Sequence, residues 1–90
     1  MQTIEKKILP DYFQAILDGK KKYELRLNEF EIDEGDTLRL REIDPSTRAY
    51  TGREASRKVT YVGKFKLGEL EKFYTKEEIA EKGLQIISLE

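Results

Sequence analysis

The chain has 90 residues, enough for one domain with one core. Apolar residues make up 38% and charged residues 39%, with a net charge of -1, so most of the surface is a mixed charged shell and the total is not the strongly basic footprint usual in a nucleic-acid binder. With no cysteine and no histidine there is no disulfide framework, no thiolate or imidazole metal site and no histidine general base.

Residues 3–8 read as a strand with Ile4 and Ile8 on one side. Pro10 suits the first turn of a helix, and Phe13, Ile16 and Leu17 form its core-facing stripe. Gly19 is placed to end that helix in a left-handed conformation. Residues 22–27 alternate, with Tyr23, Leu25 and Leu27 on one face and Lys22, Glu24 and Arg26 on the other, which predicts a second strand. Glu34-Gly35-Asp36 is a turn signal.

Residues 37–43 predict another strand, with Leu38 and Leu40 inward and Arg39 and Arg41 outward. A loop opens at Asp44-Pro45-Ser46-Thr47 and ends near Gly52, and a further strand is expected over 53–62. Residues 63–74 are ambiguous between strand and helical turn. Thr75 followed by Glu78 matches a capping box, for a helix running to about Glu81 with Gly83 beyond it. Residues 84–89 are expected as a closing strand. The expected core is Phe13, Ile16, Leu17, Leu25, Leu38, Leu40, Val59, Tyr61, Ile86 and Leu89. The sum is one α+β domain over residues 1–90, with five or six short strands and two short helices in a small curved sheet or barrel.

Charge is segregated along the chain. Residues 27–37 hold five acids and no bases, whereas 38–66 hold eight bases and three acids. The basic stretches can merge into one patch, or bases and acids can interleave as solubilising pairs. The set Arg39, Arg41, Arg53, Arg57 and Lys58 is a candidate phosphate-facing surface. Tyr50, in a loop between Arg48 and Arg53, is the better candidate for stacking a base, while Tyr23 and Tyr61 are expected in or near the core. Glu42 and Asp44 are too few carboxylates to predict a divalent-cation site, and neither a metal nor a cofactor is expected.

The segment Gly19-Lys20-Lys21-Lys22-Tyr23-Glu24-Leu25-Arg26 resembles the ASCH signature G-x-K-x-x-E-x-R. The flanking blocks Ile8-Leu9-Pro10-Asp11-Tyr12-Phe13, Gly35-Asp36-Thr37-Leu38, Arg41-Glu42-Ile43-Asp44, Tyr50-Thr51-Gly52-Arg53 and Val59-Thr60-Tyr61-Val62 are similar to a bacterial and phage subfamily of ASCH-like domains of unknown function within the PUA superfamily. The resemblance implies a PUA-like, mostly antiparallel β-barrel of five to six strands, with a cleft beside the signature segment. It also implies a non-catalytic module that binds RNA or a nucleotide.

The ligand-binding residues expected from the motif and the basic and aromatic pattern are Lys21, Glu24, Arg26, Arg41, Tyr50 and Arg53, the alternative being that Lys21, Glu24 and Arg26 form a salt-bridge cluster that only orders the loop. Some ASCH relatives are amidohydrolases on acetylated cytidine that use a lysine, a threonine and a glutamate. In that alternative Lys21 and Glu24 carry the chemistry, yet Glu24 stands at the threonine position and has no hydroxyl nucleophile. A third alternative is a phage or host protein-interaction module. No membrane-spanning run and no leader-like apolar stretch occurs, so a cytoplasmic monomer is expected.

Overall fold

The computed structural model describes residues 1–87. The elements in chain order are β1 (Thr3–Ile8), α1 (Pro10–Leu17), β2 (Thr37–Ile43), β3 (Tyr50–Lys58), a 3-10 turn (Leu67–Lys72) and α2 (Lys76–Lys82). The strands form one open mixed sheet in the order β1-β2-β3, so the architecture is small α+β. β1 runs parallel to β2, with Thr3 opposite Thr37 and Ile8 opposite Glu42. β3 is antiparallel to β2, with Thr37 opposite Lys58 and Ile43 opposite Tyr50, and an irregularity falls between Arg41 and Ile43.

The helix α1 starts at Pro10, whose missing N–H falls where no intrahelical acceptor exists. Its end is a Schellman turn. Gly19 has φ 74°, its N–H donates to the Ile16 carbonyl, and the N–H of Lys20 donates to the Ala15 carbonyl, each at 3.0 Å. Phe13 and Ile16 from the buried side of α1 pack with Ile8 and Leu40, and Leu38 and Ala55 flank this cluster. Ile43 is also buried. The core is therefore one helix face against the middle of the sheet.

Asp36 fastens the start of the sheet. Its carboxylate accepts from the N–H of Asp33 at 2.9 Å, from the N–H of Gln2 at 3.1 Å and from Gln2 Nε2 at 3.2 Å. Its carbonyl accepts from the Val59 N–H at 2.8 Å, so the segment after β3 is tied to the same turn. The backbone donors of Asp33 and Gln2 hold the Asp36 carboxyl below the usual carboxylate range. Between β2 and β3, in the expected loop, Asp44 Oδ1 accepts from the N–H groups of Ser46 and Thr47.

Several expected elements differ. Residues 22–27 alternate but form no strand. Beside them, the Lys7 carbonyl on β1 accepts from Arg26 Nη2 at 2.6 Å, so a side chain occupies an acceptor that a ladder N–H would use. β3 spans Tyr50–Lys58 and not 53–62, because the pairing of Tyr50 with Ile43 shortens the loop. Residues 84–87 form no strand, and the end of that expected strand, with Leu89, lies outside the described residues. The sheet is thus three-stranded and mixed where more strands, mostly antiparallel, were expected.

The core shifts accordingly. Phe13, Ile16 and Leu40 are buried, and Leu38 and Val59 are half-buried. Leu17, Leu25, Tyr61 and Ile86 are exposed. Leu17 sits on the last residue of α1, Leu25 belongs to no sheet face, and Tyr61 follows the end of β3. The helix α2 begins at the expected capping box: Thr75 Oγ1 accepts from the Glu78 N–H, and Glu78 Oε1 from the Thr75 N–H, both at 3.1 Å. No helix among the described residues is long and apolar enough to cross a membrane.

Candidate functional site

The Schellman turn delivers the signature segment to the outer edge of β1. The N–H of Lys21 also donates to the Ala15 carbonyl at 3.0 Å, which ties this residue's backbone to the helix end. From there Lys21 Nζ reaches Glu24 Oε1 at 2.6 Å and the Tyr23 carbonyl at 2.8 Å. Arg26 Nε lies 2.9 Å from Glu24 Oε2. Each oxygen of the Glu24 carboxylate therefore meets one cation, and the Arg26 fork reaches on to Lys7. The Lys21 and Glu24 side chains are only 13% and 14% exposed, so water screens this pair less than a surface pair.

A cleft of about 460 Å³ opens over this triad. Tyr12 and Tyr23 stand on its wall, with the Lys21 ammonium 5.7 Å and 4.6 Å from their ring centres. Leu9, Leu84 and Ile86 give it an apolar side. Two rings, apolar walls and a few convergent charged groups are the makeup of a small-ligand site.

Arg41 and Tyr50 meet elsewhere, on the charged face of the sheet. The register puts Glu5, Arg39 and Ser56 in one row and Lys7, Arg41 and Glu54 in the next. Arg39 forks onto Glu54 at 2.8 Å and reaches Glu5 at 3.2 Å, and Arg41 lies 3.3 Å from Glu5 and 3.4 Å from Glu54. Arg39 lowers the Glu54 carboxyl by hydrogen bonding and charge. Arg39 and Arg41, two members of the expected phosphate-facing set, are thus paired with these two carboxylates. The Arg41 guanidinium stacks on the Tyr50 ring at 3.7 Å from its centre, and Lys7 Nζ lies 5.7 Å from the same ring.

Arg53 does not join either group. Its Nη2 donates to Gln14 Oε1 at 3.0 Å, its Nη1 is 3.6 Å from Glu42 Oε2, and its guanidinium lies 5.0 Å from the Phe13 ring centre. It clamps α1 to the sheet. Glu42, which is buried, also accepts from Thr51 Oγ1 at 2.8 Å. Glu42 and Asp44 therefore serve different local networks, and no cluster of three or more metal-ligating side chains occurs among the described residues.

Sequence reasoning missed Lys7 as a lining residue, did not single out Tyr12, and expected Tyr23 in or near the core. Lys7 reads as the outward position of an ordinary strand, and nothing local says that Arg26 will seek its carbonyl. Tyr12 lies within one of the motif blocks, and that proximity to Lys21 was the available signal.

The fold and the cleft define a small α+β domain with a polar, aromatic-lined site at one sheet edge. A family model described as a domain of unknown function, DUF3850, matches residues 3–75, and the chain belongs to that family. No curated protein and no solved structure matches it.

Proposed function

We propose that this domain is a cytoplasmic, non-catalytic module that binds RNA or a nucleotide in the cleft beside Lys21, Glu24 and Arg26. The observation that carries the reading is the convergence of two cations, a carboxylate acceptor and the rings of Tyr12 and Tyr23 on one cleft. Lys21 and Arg26 are paired with Glu24, so a phosphate bound here shares these cations with that carboxylate, and the aromatic faces suit a base. The resemblance of residues 19–26 to the ASCH signature supports the same site. In this reading the fold is a PUA-like one, supported by the segment 21–27 lying beside β1 through the Arg26 bond to Lys7.

The test is an NMR titration with nucleosides, nucleotides and short RNAs. Amide shifts confined to residues around 12, 21–26 and 84–86 are the expected result. No shift with any of these ligands would refute the reading. Acetylated cytidine belongs in the same panel, because the 2.6 Å approach of Lys21 Nζ to a carboxylate is the one feature that favours a hydrolase. Turnover of that compound that disappears in Lys21→Ala would establish the hydrolase instead.

A further inference from the structure

A second cleft, of about 480 Å³, lies along the same edge of β1. It shares Lys7, Leu25 and Arg26 with the first, so the two clefts meet over these residues as one groove. The second cleft has its own pair of rings. Phe30 carries Lys6 Nζ at 3.8 Å from its centre, and Tyr50 carries Arg41 on one face. Each cleft falls in the range of roughly 300–1,000 Å³ that holds a small ligand.

The charges along the groove are arranged unevenly. Of the acids that line it, Glu24 is held between Lys21 and Arg26, Glu5 is held by Arg39 and Arg41, and Glu29 in the second cleft makes no ion pair among the described residues. Lys6 and Lys7 line it as well, with their ammonium groups 3.8 Å from the Phe30 ring centre and 5.7 Å from that of Tyr50. The order along the edge is rings, cations at the junction, then rings again. Single-stranded nucleic acids are held by rings that stack bases and cations that meet phosphates.

We infer that the groove takes single-stranded RNA across two subsites, one base beside Tyr12 and Tyr23, the next beside Phe30 and Tyr50, with the linking phosphate over Lys7 and Arg26. The inference rests on the proposed function and specifies its ligand as an oligonucleotide. Tyr50 belongs to the second subsite alone, so it separates the two statements.

The experiment is isothermal titration with AMP and with the 5′-phosphorylated dinucleotide of adenosine. The dinucleotide is expected to bind about tenfold more tightly than AMP, the worth of one added base stack. Tyr50→Ala should remove most of that gain and leave AMP binding unchanged, whereas Tyr50→Phe should keep it. Lys6→Gln provides a second variant on the same cleft, should Tyr50→Ala fail to fold, with the same expected pattern. AMP binding with no gain for the dinucleotide, or equal losses for both ligands in Tyr50→Ala, would overturn the two-subsite groove and leave the proposed function standing. Binding of neither ligand would overturn both.

Discussion

Arg26 and Lys7 are joined through a guanidinium and a main-chain carbonyl, at 2.6 Å and 19 positions apart in sequence. This bond holds the signature segment against β1 while Arg26 Nε engages Glu24. The same side chain thus shapes the cleft and lines it. Ligand binding and local order are therefore separable only by comparing variants.

For that comparison, Lys21→Ala and Arg26→Ala are expected to retain the far-UV CD spectrum of the sheet and to bind RNA more weakly. A bidentate contact from Arg26 is worth roughly 1–3 kcal/mol, readable by fluorescence anisotropy. Loss of a phosphate contact at Lys21 should flatten the plot of log affinity against log salt by about one unit. Unfolding at lower urea with undiminished RNA binding in both variants would make the triad a purely structural ion-pair cluster.

Core substitutions should divide sharply. Leu40 and Phe13 are each 1% exposed, so Leu40→Ala should cost about 2–5 kcal/mol and Phe13→Ala about 3–5 kcal/mol in urea unfolding. Tyr61→Ala, at a residue 78% exposed, should stay within about 0.5 kcal/mol. A large loss at Tyr61 would mean that the segment after β3 packs more deeply than described.

The Asp36 carboxyl is held below its ordinary value by backbone donors in the folded state. Its charged form is therefore the stabilising one. That contribution is complete above the unfolded value near 3.8 and is lost as pH falls through the lower folded value. Thermal melts between neutral pH and pH 2 should show Asp36→Asn with a lower Tm than the parent at neutral pH, and with the difference shrinking in acid. Parallel curves at all pH values would remove Asp36 from the acid response.

Thr75→Ala deletes the cap of α2, a helix of seven residues with none buried. The expected loss is about 1 kcal/mol, felt within the helix. Hydrogen exchange should speed up at residues 76–82 and remain unchanged in β2. Faster exchange in β2 would show that α2 supports the sheet.

The sequence carried local instructions well and long-range ones poorly. Pro10, Gly19, the Asp36 turn, the Asp44 loop and the Thr75–Glu78 box each act through neighbouring backbone, and each is found where expected. The alternation of residues 22–27 marks two faces but names no partner strand, and the edge beside it meets a side chain instead. The parallel pairing of β1 with β2 joins residues 34 positions apart, such as Thr3 and Thr37, which no local pattern encodes. The clustering of Lys21, Glu24 and Arg26 was legible because the three lie close together in sequence. Arg53 was not, because the side of the sheet it takes depends on Gln14 and Glu42, far away in sequence.

The carbonyl of Ala15 accepts from both Lys20 and Lys21, one residue before Ile16 enters the core. A single peptide group therefore serves as the hinge pin between the packed helix and the charged segment. Substitutions that loosen Phe13 or Ile16 are therefore felt first in the backbone of Lys20 and Lys21, whose donors share that one acceptor.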